Sequence, residues 1–153
     1  MNVEARLKHL GIELPPPPSP VGNYTAGTVV GNLVFMSGCG PRKPDNTSIT
    51  GKVGTDLTTD QAYQAARLVG LNMLANVKSL IGDLDRVKKV VKVLGMVNAA
   101  PDFKEHPRVM NGFSDLMVAV FGEEAGRGGR SAVGMGSLPM QIAVEVEMIL
   151  ELK

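Results

Sequence analysis

Arg130 and the acidic residues after it, Glu145, Glu147 and Glu151, are the side chains of this 153-residue chain best suited to chemistry. A guanidinium is a planar fork of donors. It meets a carboxylate with two parallel charge-assisted hydrogen bonds. A carboxylate held nearby can orient a water and accept its proton. From Ile142 the residues alternate with the period of a strand. Ile142, Val144, Val146, Met148, Leu150 and Leu152 fall on one side, and Ala143, Glu145, Glu147, Ile149 and Glu151 on the other. Arg130 opens the preceding segment, after Gly126, Gly128 and Gly129. One arginine and a row of carboxylates on neighbouring strands could hold a small carboxylate and a water. They could equally be an ordinary charged sheet face.

Other chemistries have little to stand on. His9 and His106 are not at metal-ligand spacing, so no metal site is expected. Cys39 is the only cysteine. It can make no internal disulfide, reads as a small buried apolar residue, and points weakly to a reducing compartment. Gly38-x-Gly40 and Gly126-x-Gly-Gly have neither a dinucleotide nor a P-loop context. Ser37 has no Ser-His-Asp pattern around it. Sixteen basic and fifteen acidic residues leave a net charge of +1, and the cluster Arg86, Lys88, Lys89, Lys92 lacks interleaved aromatics. Both facts argue against nucleic acid. No apolar run approaches the ~18 residues of a membrane span. Glu4, Arg6, Lys8 and His9 interrupt any signal-peptide core. The expected location is cytoplasmic, with no membrane partner.

The elements that must position these residues can be read from the pattern. Residues 1–20 form an extension: a short helix over Asn2–Leu10, then a rigid proline-rich connector through Pro15, Pro16, Pro17, Pro18 and Pro20. Residues 21–153 form one domain. Tyr24–Val30 and Leu33–Ser37 read as strands joined by a tight turn at Gly31-Asn32. Gly38–Val53 is a loop. Thr58–Ile81 is a helix that opens with a Thr58/Gln61 capping box and stops at Gly82. Val87–Val97 is a strand, a second helix starts near Pro107, and Gly122–Gly129 is a flexible loop. Two strands follow, joined near Ser137-Leu138-Pro139. This order gives an α+β fold or mixed sandwich, with two helices on one face of the sheet. Met36, Val133, Met135 and Ile149 would make the other face apolar, a hint of oligomerisation through it.

The ordered landmarks resemble the YjgF/RidA (L-PSP endoribonuclease-like) family. They are Val21-Gly-Asn-Tyr24, Gly31-Asn-Leu-Val-Phe-Met-Ser-Gly38, Asn76-Val-Lys78 and Val109-Met-Asn111, then Arg130-Ser-Ala-Val, Leu138-Pro139 and Val144-Glu-Val-Glu147. The resemblance implies a chorismate mutase-like mixed sheet of about six strands backed by two helices. It also implies a homotrimer with clefts between subunits. The activity it implies is hydrolysis of reactive 2-imino or enamine acids to 2-keto acids and ammonia, with no metal or organic cofactor. Small 2-imino and 2-keto acids are then the expected ligands. By position, Arg130 takes the place of the arginine that binds the substrate carboxylate, and Glu145 that of the glutamate that positions the attacking water. Tyr24, Ser37, Gly38 and Asn111 take the places of substrate-binding residues in the cleft.

The chain departs from the family pattern near the arginine. Gly128-Gly129 stands where Pro-Ala is usual and should loosen the approach to Arg130. Ala132 stands where cysteine is common. Two other functions stay open at this level: a non-catalytic binder of small carboxylates with a regulatory role, and the ribonuclease that one family name implies.

Overall fold

The computed structural model describes residues 1–153. Four α-helices and five strands follow one another along the chain. They are α1 (Val3–His9), β1 (Gly27–Val30), β2 (Leu33–Cys39), α2 (Thr59–Ile81), β3 (Val87–Asn98), α3 (His106–Phe121), α4 (Glu123–Gly126), β4 (Gly129–Met135) and β5 (Val144–Leu152). The sheet order is β1-β2-β5-β3-β4. Every pairing is antiparallel except β3 with β4. The sheet has five strands, the number read from the residue pattern, where the family resemblance implied about six. Residues 24–26 precede β1 and stay outside the ladder.

Local chemistry sets the element ends. Gly31 takes φ 61° at the first turn position of the β1-β2 hairpin, a conformation open to glycine at no steric cost. At the start of α2, Gln61 N donates to Thr58 Oγ1 at 3.1 Å and Thr58 N donates to Gln61 Oε1 at 2.9 Å. The reciprocal pair closes the capping box. In α1, Ala5 N donates to Asn2 Oδ1 at 2.8 Å. The segment expected to be a flexible loop carries α4. Gly126 is required there, because a Cβ would come within 2.4 Å of the Met117 carbonyl oxygen.

Both long helices cover one face of the sheet, α2 over β2 and β5, α3 over β3 and β4. Val69, Met73 and Val77 of α2, Phe113 and Met117 of α3, and Val34, Val93, Val144, Val146, Met148 and Leu150 of the sheet share one core. Met36 belongs to this core, 5 % exposed, and not to the bare face. The residue beside it, Phe35, faces away and is 42 % exposed. The alternation also breaks before β5. Ala143 joins the main core, whereas Ile142 packs with Met96 and Leu138 in a small second cluster on the far side of the sheet. A turn over Pro139–Gln141 causes this reversal, with Met140 and Gln141 both left-handed at φ 53° and 57°. Asn98, fully buried, holds the turn by donating to Gln141 Oε1 and Ile142 O, both at 3.2 Å.

Arg130 and the glutamates do not lie on neighbouring strands. Strand β3 runs between β4 and β5, with Arg130 opposite Val93 and Glu145 opposite Met96. Val93 faces the helices and Met96 the other side. Within one chain the arginine and the catalytic candidate Glu145 therefore sit on opposite faces of the sheet.

Candidate functional site

A cavity of about 400 Å³ opens at the β2-β5 seam, reached by Glu145 from the face away from the helices and by Asn76 from α2. Tyr24, Ser37, Gly38, Cys39, Arg42, Asn76 and Glu145 line it, and Pro18, Ser19, Pro20 and Val21 wall one side. The proline-rich segment is thus part of the site as well as a connector.

The seam is irregular where the site forms. Met36 pairs with Met148 and Cys39 with Val146, so Ser37 and Gly38 together oppose one residue of β5. That two-against-one count is a β-bulge, which re-aims side chains. Ser37 is turned back into its own loop: Oγ donates to Thr25 O at 2.6 Å and N donates to Ala26 O at 2.9 Å. Gly38 leaves room for Glu145. A Cβ at that position would come within 2.9 Å of Glu145 Oε2 and 3.0 Å of its Cδ. The carboxylate therefore lies directly over the bulge backbone. Tyr24 is half exposed at the rim, its hydroxyl accepting from Val21 N at 3.2 Å.

Burial raises the Glu145 carboxyl above the usual carboxylate range, and the negative charge of Glu147 adds to this. Such a group holds a proton closer to neutrality, as suits a general base. Cys39 is pushed up to about 12, chiefly by burial and then by Glu145, against a smaller pull from Arg42. Its thiol stays protonated at neutral pH, so it is no nucleophile here.

Arg130 and Asn111 form a second grouping at the sheet edge. Arg130 Nη1 donates to Asn111 Oδ1 at 2.9 Å and Ser114 Oγ at 3.2 Å, and Nη2 to Pro107 O at 3.4 Å. These bonds dock the guanidinium on the first turns of α3. Two of its five N–H groups remain for another partner. The double glycine does not slacken this arrangement. A Cβ on Gly128 would meet the Val90 carbonyl oxygen at 2.6 Å, and Gly129 pairs with Lys92 in the β3-β4 ladder. The chain thus brings Tyr24, Ser37, Gly38 and Glu145 together, and separately Arg130 with Asn111.

Two lining residues carried no assignment from the sequence. Asn76 had a signal: with Asn72 it puts two amides one turn apart on the buried stripe of α2. Arg42, inside a loop without periodicity, had none.

Residues 4–152 match the family described as "YjgF/chorismate mutase-like, putative endoribonuclease". The chain belongs to this family. It is 43% identical over 151 residues to Protein TCP17 of Trypanosoma cruzi, covering 99% of this chain and 94% of that protein. A 2-iminobutanoate/2-iminopropanoate deaminase of Dermatophagoides farinae is 29% identical, with 91% and 93% covered. The crystal structure of Atu1372 from Agrobacterium tumefaciens, a protein of unknown function, superimposes with a TM-score of 0.88 at 41% identity, over 99% of this chain and 94% of that one. The five-stranded α+β architecture is thus the chorismate mutase-like fold of the YjgF family. No helix is long and apolar enough to cross a membrane.

Proposed function

We propose that this YjgF-family protein hydrolyses reactive 2-imino or enamine acids to 2-keto acids and ammonia. One observation carries the reading: a half-buried carboxyl with a raised pKa, Glu145, sits over the Gly38 bulge inside a cavity sized for a small molecule. A protonated imine carbon is already electrophilic, so a placed water and one proton acceptor suffice. Glu145 takes a proton as the water oxygen bonds to the imine carbon, giving a carbinolamine. Protonation of the nitrogen and loss of the hydroxyl proton then break the C–N bond and release ammonia, leaving the keto acid. Arg130 holds the substrate carboxylate. Because Arg130 and Glu145 occupy opposite faces of one sheet, the pair works across two copies of the chain. The homotrimer with clefts between subunits that the family pattern implies supplies that arrangement.

The deaminase among the relatives supports this chemistry. The ribonuclease reading fits less well, since no histidine lines the cavity and Arg42 is its one cation, whereas an RNA strand calls for a basic track.

The test generates imino acids in place from an amino acid and an oxidase, and follows ammonia and keto acid. Wild type accelerates release. Arg130→Ala abolishes the acceleration while the circular dichroism spectrum and oligomeric mass stay unchanged. Full activity in that variant would overturn the assignment of Arg130. Ligand binding without turnover on any imino acid would identify a carboxylate-binding protein instead.

A further inference from the structure

Two polar groups of the cavity find no use in this reaction as described. Arg42 lines it, half-buried. No carboxylate of the chain pairs with it. Its backbone is fixed from three sides. Arg42 N donates to Gly40 O at 3.0 Å, Arg42 O accepts from Asn72 Nδ2 at 3.0 Å, and the residue bridges Ser48. The second group is Asn76, 8 % exposed on α2. Its Oδ1 is the one buried side-chain polar atom without a partner. Its Nδ2 reaches only the Cys39 sulfur, at 4.0 Å.

An unpaired guanidinium in a partly dehydrated site favours an anion. A buried amide oxygen without a donor is unfavourable until one arrives. The site therefore fits a ligand with an acidic group for Arg42 and an N–H or O–H donor for Asn76. An imino acid carries the N–H. Its α-carboxylate belongs to Arg130, so an acid for Arg42 must come from the side chain.

We infer that the cavity selects imino acids with an acidic side chain, Arg42 binding the side-chain carboxylate and Asn76 Oδ1 accepting from the imine N–H. This inference rests on the deaminase reading above. Alkyl imino acids leave Arg42 without a counter-charge and bind more weakly.

Two stable keto-acid products of equal length separate the possibilities: 2-oxoglutarate, which ends in a carboxylate, and 2-oxopentanoate, which ends in a methyl group. Calorimetry on the wild-type protein should give 2-oxoglutarate roughly tenfold tighter binding, the scale of one charge-assisted pair. Arg42→Gln should bring the ratio to about one, and Arg130→Ala should weaken both ligands. Equal wild-type affinities, or a preference that survives Arg42→Gln, would overturn the acidic-substrate assignment and leave the deaminase reading standing. Failure of the wild type to bind either ligand would overturn both. For Asn76, the near-isosteric Asn76→Leu should lower kcat/KM on the imino acid more than it weakens binding of the keto acid, which has no N–H. The reverse order removes Asn76 from the site.

Discussion

Glu145 carries its charge at some cost to the fold. Its folded pKa lies above the unfolded value, because burial disfavours the carboxylate. Between those two values the folded chain binds more protons than the unfolded one, so stability falls as pH rises through that window. Above the window the whole cost is present, and below the unfolded pKa it is absent. Glu145→Gln should therefore melt higher than wild type at pH 7, by about 2–4 °C for each kcal/mol relieved. The gap should close as pH is lowered through the carboxylate range. The same variant should lose roughly 10²–10⁴-fold in turnover, the usual worth of a general base. Wild-type activity should fall on the acid side at a pH above the ordinary carboxylate value. A melting series from pH 3 to 8 alongside a pH-rate profile checks both signs. Gly38→Ala probes the same atom from the other side: its Cβ would push Glu145 aside by steric contact at 2.9 Å. Turnover should drop at least tenfold while the melting temperature moves little, since a flexible carboxylate yields more easily than backbone. Glu145, Gly38 and Arg130 were singled out by the ordered family landmarks, since strand alternation alone left the glutamates an ordinary charged sheet face. Asn76 carried a signal that went unassigned, an amide on the buried stripe of α2, whereas Arg42 is marked only by a missing partner, which appears once the chain is folded.

Elements place these side chains, and their legibility followed the strength of the local signal. Helix α2 was readable end to end, since its capping box and Gly82 stop are written in adjacent residues. Thr58→Ala should remove one half of the box and cost about 1 kcal/mol. A melting temperature lower by a few degrees, with unchanged turnover per folded molecule, is the expected result. A loss of turnover at constant stability would mean that the cap also positions the site. The strands were harder. Alternation put Met36 on the wrong side, because Val34 and Met36 alternate with Leu33 and Phe35, all apolar, so the period alone does not say which set is inside. The reversal at Ile142 arose from the left-handed pair Met140 and Gln141, which nothing in those residue types announces. The β-bulge at Ser37-Gly38 needs its partner strand to exist at all.

At the scale of the whole molecule, the sheet separates what the proposed chemistry requires together. The helices cover one face, and Arg130 is docked there against α3. The other face presents Glu145 to the cavity, and leaves Phe35 and Val133 exposed at 42 % and 37 %. The order β1-β2-β5-β3-β4 sets this division, and adjacency in sequence concealed it by making β4 and β5 look like partners. A charge placed on the apolar face, as in Phe35→Glu, should break an oligomer formed through it and remove activity with it, read by light scattering and ammonia release on the same sample. A sharper test needs no broken interface. Arg130→Ala and Glu145→Gln should each be inactive alone. If the site draws one residue from each of two copies, unfolding and refolding an equal mixture creates some sites with both residues intact. In a closed ring of independent, randomly mixed subunits such sites are about one quarter of the total. Roughly a quarter of wild-type activity should then return, while the double variant Arg130→Ala/Glu145→Gln mixed with either single variant restores none. No recovery from a mixture shown by mass spectrometry to have exchanged subunits would mean that Arg130 and Glu145 do not share a site.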